Sequence, residues 1–440
     1  MTVITKIGKS ESSSQEGAIQ PLSQIGRSGL DTTLMSGFDF VLPKLRGTQG
    51  IKIFQEMQQT EPIIGATLMV YEMLARQAEW HVEPASDDPE AHAVSEFVES
   101  CFHDMSSSWH DTISEIMSML TFGYAPFEIV YKLRGGLSGD PVTNSRHTDG
   151  RIGWRKLSIR SQDTLYEWCF DDNGILTGLK QMAPPRWNIV FIPIEKLLIF
   201  KLRSRKENPE GWGILTNAYR PWYFKRHIEN IQGIGIERDL AGLPVVWVPE
   251  DMIKAEASPA QQAAYQIFKK MIKNIRRDEQ EGIVMPLAYD EKGNKIYDLT
   301  LLSTGSRRQF DTTAILQNYI LEMAVSMMTD FLLIGHEKVG SFALSSNKTN
   351  LFATSEGAIL DIICEVFNRY GIPRLLEINN IDLKHAPNLV HGDIETPDLI
   401  ELGDYIVKLV TTGMMAPDEK TESYLRRAAN LPQKEMESLG

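Results

Sequence analysis

The chain has 440 residues, 42% of them hydrophobic, which is enough apolar material for a substantial core and for more than one compact unit. Its 45 Lys and Arg stand against 58 Asp and Glu, a formal net charge of -13, the opposite of the balance expected of a protein that grips phosphates over a broad face. Cys101, Cys169 and Cys364 lack CxxC spacing and are odd in number, so neither a disulfide framework nor a zinc site is expected, and a reducing cytoplasm is the natural compartment.

The stretch from Met1 to Ser14 contains no apolar core of the kind a secretory signal needs, and no run is apolar enough to span a membrane. Residues 1–34, rich in Ser, Gln and Gly (Ser10, Ser12, Ser13, Ser14, Gln15, Gly17), read as a flexible arm. From Gly50 to Ala78, Phe54, Met57, Ile63, Ile64, Leu68, Tyr71, Met73 and Leu74 recur at helical spacing, broken at Pro62, and Trp80 to Pro84 reads as a short strand. Asp88–Met105 and Trp109–Phe122 are predicted amphipathic helices. Between Glu83 and Glu115 there are nine acidic residues and no Lys or Arg, either a solvated acidic face or a surface that repels DNA.

After Gly123 the pattern changes to period two in Phe127–Tyr131, Trp154–Ile159 and Tyr166–Phe170. Asp171-Asp172-Asn173-Gly174 begins like a calcium loop but lacks the third acid and the closing Glu, so a hairpin turn is expected. Ile189–Ile192 and Leu197–Phe200 complete this β-rich section. A long helix is predicted over Asn217–Leu240, with Pro221 in its first turn and Tyr219, Trp222, Tyr223 and Phe224 crowded near its start. Then come a strand at Val245–Val248, an amphipathic helix from Ser258-Pro259 to about Arg277, and a hairpin over Gly282–Leu302 turning at Asp290–Gly293. A second long helix is predicted from about Ser306 to Leu332, a loop over Ile334–Lys348, and a third helix over Asn350–Tyr370 stopped by Gly371-Ile372-Pro373. The tail from Pro397 reads as helical and acidic. The fold class is α+β.

No catalytic, cofactor-binding or metal-ligating residue is nominated. Gly8-Lys9-Ser10 has Val3 where the first glycine of a P-loop belongs, and Gly233-Ile234-Gly235 is followed by Arg238 in place of a third glycine. H-E-x-x-H and G-x-S-x-G are absent, and the nine histidines have no ligand spacing. A carboxylate pair brought together only by folding stays open.

Pro209-Glu210-Gly211-Trp212-Gly213-Ile214-Leu215, Ala218-Tyr219-Arg220-Pro221-Trp222-Tyr223-Phe224-Lys225 and Glu237-Arg238-Asp239-Leu240-Ala241-Gly242-Leu243-Pro244 closely resemble the portal proteins of tailed bacteriophages, especially the Mu-like branch. Trp80–Ala85, Phe122–Glu128, Phe367–Pro373, and Gly413-Met414-Met415 before Leu425-Arg426-Arg427 follow in the family's order. The resemblance covers roughly residues 35–435 and rests on the series, since no single motif is diagnostic.

That resemblance implies a wing (35–213), a stem helix (214–240), a clip (241–304), a second stem helix (305–332), a tunnel loop (333–349), a long helix returning to the wing (350–375) and a crown (376–440). It implies a non-enzymatic homo-oligomeric ring of about twelve copies, passing double-stranded DNA at the capsid vertex of a virion assembled in the host cytoplasm. The large terminase and then a head-completion adaptor would dock on the clip, and the major capsid protein would meet the wing. Neither membrane nor cofactor is expected.

Within this frame Lys338, Val339, Ser341, Phe342 and Lys348 are the DNA-channel candidates, the alternative being an ordinary connection between helices. Lys269, Lys270, Lys273, Arg276 and Arg277 are the clip-interface candidates, facing either the motor or a neighbour's acids, or else forming a solvated helix face. Another head-tail connector and a metal-dependent nuclease are the competing functions; two long helices flanking a small insert argue against the former.

Overall fold

The computed structural model describes residues 28–31, 40, 42–241, 243–254, 256–275, 289, 293, 295–302, 312–333, 342–392, 399–414, 418, 421–422 and 425–426. Side chains within 235–244, 272–275, 300–302, 342–350 and 399–402 are not described. The chain divides into one unit of residues 1–218 with 324–440 and a second of residues 219–323.

The larger unit opens with α1 (Gly47–Thr60) and α2 (Pro62–Gln77). Pro62 ends one helix and starts the next because it sits at the first position, where no backbone N–H is needed. In α2, Ile64, Thr67, Leu68, Tyr71 and Ala75 share one face and are buried. Strand β1 (Trp80–Glu83) pairs antiparallel with β10 (Asn388–His391) in the register Trp80↔His391, partners far apart in the chain. Helix α3 spans Pro89–His103.

The helix expected over Trp109–Phe122 is two pieces, α4 (Trp109–Ile116) and α5 (Ser118–Phe122). Ser108 caps α4 by accepting the Asp111 amide at 3.0 Å, and Gly123, at φ +92°, ends α5. Two three-stranded antiparallel sheets follow: β3-β2-β7, from β2 (Tyr124–Leu133), β3 (Ile152–Ile159) and β7 (Leu197–Lys201), and β4-β5-β6, from β4 (Leu165–Phe170), β5 (Leu176–Met182) and β6 (Ile189–Pro193). The Asp171 turn joins β4 to β5: its Oδ1 accepts the amides of Asn173 (2.9 Å) and Ile175 (2.7 Å).

Helix α9 (Phe342–Val366) continues through a π-helical turn (Phe367–Gly371) into α10 (Ile372–Ile378). Two expectations are corrected here. Helix α9 begins at Phe342 rather than Asn350, since the low helix propensity of Ser345, Ser346 and Asn347 is a weak prior. Gly371-Ile372-Pro373 does not stop the path, because Pro373 falls within the first two positions of α10. The π turn places Phe367, fully buried, against Phe102 (5.4 Å between centroids), Trp154 (6.0 Å) and Phe200 (5.6 Å), so the returning helix closes the core on β3 and β7.

The smaller unit contains α6 (Leu215–Ala241) from Tyr219 onward, β8 (Leu243–Trp247), α7 (Pro259–Ile275), β9 (Asp298–Leu302) and most of α8 (Thr312–Ser326). Pro221 lies at the seventh position of α6, past the first turn where it was expected; its missing N–H leaves one carbonyl of the preceding turn without its helical partner. In the expected hairpin an isolated antiparallel bridge joins Tyr289 to Lys295 around Gly293 at φ +84°. Strand β9 pairs with β8, in the register Val245↔Thr300.

Helix α8 ends at Ser326, short of the expected Leu332, and a 3-10 turn spans Asp330–Leu333. The Thr329 amide donates to the Ala324 carbonyl (2.9 Å) and the Met328 amide to Val325 (3.1 Å), with Met328 at φ +60°. This is a Schellman closure with methionine in the left-handed position that glycine usually takes. Helix α11 (Leu399–Thr411) lies in the C-terminal tail. Among the described residues no helix is long and apolar enough to cross a membrane. Of the expected arm, residues 1–34, all but 28–31 lie outside the described residues.

Candidate functional site

Two stretches singled out separately in the sequence meet in space. Gly123 has φ +92°, and a Cβ there would lie 2.8 Å from the Glu210 carbonyl oxygen; Gly211 has φ +61°, and its Cβ would lie 2.4 Å from the Gly123 oxygen. A Cβ on Gly213 would be 2.6 Å from the Thr121 oxygen. Only glycine permits this double close approach of backbones. The Ile214 amide donates to the Leu120 carbonyl (2.8 Å) and the Leu202 amide to Gly123 (3.0 Å). Buried Glu210 accepts the Trp168 indole N–H at 3.1 Å, and burial, followed by the charge of Glu210, pushes the Tyr124 hydroxyl well above its ordinary range. Trp212 packs between Phe40 (6.2 Å) and the Arg205 guanidinium (4.6 Å). The cradle fixes the entry into α6, whose Leu215 and Ala218 are fully buried.

Beyond Ala218, α6 carries its aromatic crowd. Tyr219 lies 6.0 Å from Trp222 and 6.1 Å from Tyr223, Tyr223 stacks on His227 (6.3 Å, 7°), and Arg226 lies over Trp222 (5.4 Å). Phe224 stacks on Tyr319 of α8 (6.3 Å, 19°), tying the two long helices together within the smaller unit. Ile231 and Ile234 of α6 and Ile315 and Leu321 of α8 remain exposed.

In the insert, Phe268 is buried and packs on Tyr297 (5.7 Å), so α7 turns its opposite side outward and leaves Lys269 and Lys270 exposed. Lys273 lies in the same helix four residues after Lys269, hence on the same face by spacing; its side chain is not described, and Arg276 and Arg277 lie outside the described residues. Lys338, Val339 and Ser341 also lie outside them. Phe342 and Lys348, expected in a loop, belong to the first two turns of α9.

The junction where α8 ends and α9 runs was not read from the sequence. The Thr67 and Thr329 side-chain oxygens are 2.8 Å apart, the Tyr71 hydroxyl donates to the Met327 carbonyl (3.1 Å), and Phe352 lies between Tyr71 (4.7 Å) and Phe331 (5.0 Å). Burial raises the Tyr71 hydroxyl to about 12. Glu356 is fully buried and neither carboxylate oxygen has a hydrogen-bond partner among the described residues; burial raises it to about 8. Its signal was a single acid in the apolar stripe of Phe352, Ile359, Leu360 and Ile363. Among the described residues no three His, Cys, Asp or Glu lie together as a metal site.

The structure is similar to a chain in the neck of an empty gene transfer agent particle computed with C6 symmetry: 11% identity over 87% of this chain and 94% of that one, TM-score 0.49. It is also similar to a chain in the virion of a native gene transfer agent particle, at 10% identity over the same shares and TM-score 0.48. The family model for the portal protein of Mu bacteriophage matches residues 51–431. That match runs from α1 through the glycine cradle, both long helices and their insert to the C-terminal tail, and the chain belongs to the Mu-like bacteriophage portal protein family.

Proposed function

We propose that about twelve copies of the chain close into a ring at the capsid vertex, through which double-stranded DNA enters during packaging and leaves on ejection. The observation that carries this reading is the family match over residues 51–431. The sequence of long helix, small insert and long helix supports the division into stem and clip, and the exposed apolar residues on α6 and α8 suit packing against neighbouring copies. The role is mechanical rather than catalytic. A channel must let a polyanion slide, and each firm phosphate contact would add a salt-dependent brake, so a subunit with net charge -13 suits the task.

The segment before α9, with Lys338, Val339 and Ser341, is assigned to the constriction, and Phe342 and Lys348 to the helix that backs it. The α7 lysines are assigned to the face met by the terminase and later by the adaptor, and the larger unit to contact with the major capsid protein. Native mass spectrometry with negative-stain imaging of the purified chain tests the ring: closed rings of about twelve subunits with a channel wide enough for duplex DNA are expected. A stable monomer under assembly-promoting conditions overturns the proposal.

A further inference from the structure

Two open clefts in the larger unit share part of their walls. One, of about 380 Å³, is lined by Lys132, Leu137, Pro141, Asn144 and Arg155 among others, and Met105, Ser106 and Arg146 carry its lining into the second. The second, of about 610 Å³, also takes in Trp80, Phe102, His103, Trp109 and His110. Sites that hold a ligand commonly measure about 300–1,000 Å³. Aromatic rings stiffen one part of the lining: Trp109 meets Trp80 edge to face at 5.6 Å and Phe102 at 4.8 Å.

Another part comes from the connection between β2 and β3, where Leu137 is 87% exposed and Val142 54%. This connection is firmly held although its apolar side chains face solvent. The Gly136 amide donates to the His147 carbonyl (2.9 Å), the Ser145 amide to Gly136 (3.0 Å) and the Leu133 amide to Val142 (2.9 Å). The buried Asp104–Lys132 pair anchors it: Asp104 accepts the Ser145 hydroxyl (2.6 Å) and the Arg146 amide (2.9 Å), and Lys132 donates to the Asn144 carbonyl (2.9 Å). A loop fixed in this way needs little further ordering when a partner arrives.

The charge of the joined cleft runs against that of the protein. Asp104 is the one acid lining either part, and it is buried against Lys132. Arg146 and Arg155 have no ion-pair partner among the described residues, and the exposed rings of His103 and His110 add further donors. Yet the chain carries -13 overall, and Glu83 to Glu115 holds nine acids with no Lys or Arg.

We infer that the joined cleft binds an extended peptide of a partner protein in which acidic residues stand beside large apolar ones. The carboxylates meet Arg146 and Arg155, and the apolar side chains lie against the Trp109 rings and Leu137. The acids in the flanking sequence disfavour a nucleic acid, which carries a phosphate at every nucleotide, whereas a peptide confines its charge to one or two positions. The cleft lies wholly within the larger unit, so its occupancy is separate from ring closure.

Fluorescence anisotropy with the full chain tests this, using labelled Gly-Leu-Glu-Phe-Asp-Gly, its amide counterpart Gly-Leu-Gln-Phe-Asn-Gly and a labelled hexathymidylate. The acidic peptide is expected to bind with a Kd below about 1 mM, more weakly as salt is raised, and the amide peptide about tenfold or more less tightly. Leu137→Asp, at an exposed position, should weaken the acidic peptide by about tenfold or more with the melting temperature unchanged, and Arg146→Gln with Arg155→Gln should do likewise. No binding, equal affinity for the two peptides, or affinity unmoved by either variant overturns the inference. Preference for the hexathymidylate also overturns it, making the cleft a nucleic-acid site. Loss of ring assembly in Leu137→Asp, with the acidic peptide bound by neither protein, overturns it in favour of a second copy.

Discussion

Thr67 of α2 and Thr329, 262 residues later, share a hydrogen bond of 2.8 Å in a fully buried setting. It fastens the residue that closes the Schellman turn of α8 to a core helix. Thr329→Val leaves the Thr67 hydroxyl buried and unpaired, with an expected loss of about 1–3 kcal/mol. The double variant Thr67→Val, Thr329→Val removes both polar groups and should recover much of that loss, as read from a double-mutant cycle in urea unfolding.

Met328 occupies the left-handed position of the same turn, at φ +60°, and its side chain is 41% exposed. A non-glycine residue there costs about 1–2 kcal/mol relative to one without a Cβ clash. Met328→Gly is expected to stabilise the protein by about 1 kcal/mol. A fall in the melting temperature would show that the methionine side chain contributes more than the backbone strain removes.

Glu356 gives stability a defined pH dependence. Its folded value of about 8 lies above the ordinary 4.5, so between those values the folded state holds a proton that the unfolded state has lost. Stability from this group therefore falls as pH rises from about 4.5 to about 8 and levels off above. Glu356→Gln should flatten that slope and make the variant more stable at pH 9 by on the order of 3 kcal/mol. Parallel stability curves for the two proteins would contradict the assignment.

Asp104 behaves in the opposite sense. Burial alone would raise its pKa, but the Arg146 amide, the Ser145 hydroxyl and the Lys132 ammonium together hold it below the usual carboxylate range. Lys132 is itself buried and sits 2.9 Å from the Asp104 carboxylate. The stability this group supplies is present above the unfolded pKa and is lost as pH falls through the folded one. Lys132→Met leaves the carboxylate without its counter-ion and is expected to cost about 3–5 kcal/mol at neutral pH, measured by denaturant unfolding.

The proposed motor-binding face predicts a charge effect. The double variant Lys270→Glu, Arg277→Glu should weaken binding of the terminase to assembled rings by tenfold or more, as an order of magnitude for two reversed charges at an interface. Binding and ring assembly both unaltered would assign these residues to a solvated face instead.

Gly211→Ala tests the cradle. A Cβ 2.4 Å from the Gly123 oxygen, at φ +61°, cannot be relieved by a rotamer change, so a loss of more than about 2 kcal/mol is expected. The same substitution at Gly233, where nothing lies within 4 Å of the added Cβ, should be neutral or slightly stabilising. Thermal melts of the two variants make the comparison.

The alternation of Trp154–Ile159 and the helical spacing around Phe54, Leu68 and Tyr71 were legible in the sequence because each is a local pattern that one buried face imposes on its own element. Turn chemistry was legible for the same reason at Asp171-Asp172-Asn173-Gly174, and the order of long helix, insert and long helix, with its family likeness, needed no contacts. Element ends were less so: Pro373 reads as a stop and Ser345-Ser346-Asn347 as a loop, yet both lie in helical backbone, where local propensity is overridden. Only the tertiary structure could join Gly123 to Gly211, Thr67 to Thr329 and Trp80 to His391. It also showed that Glu356 is enclosed and that Leu30 packs against the buried cluster around Trp168 and Leu179. Such pairings depend on which surfaces meet across hundreds of residues, and a one-dimensional pattern carries the period of a face but not the identity of what lies against it.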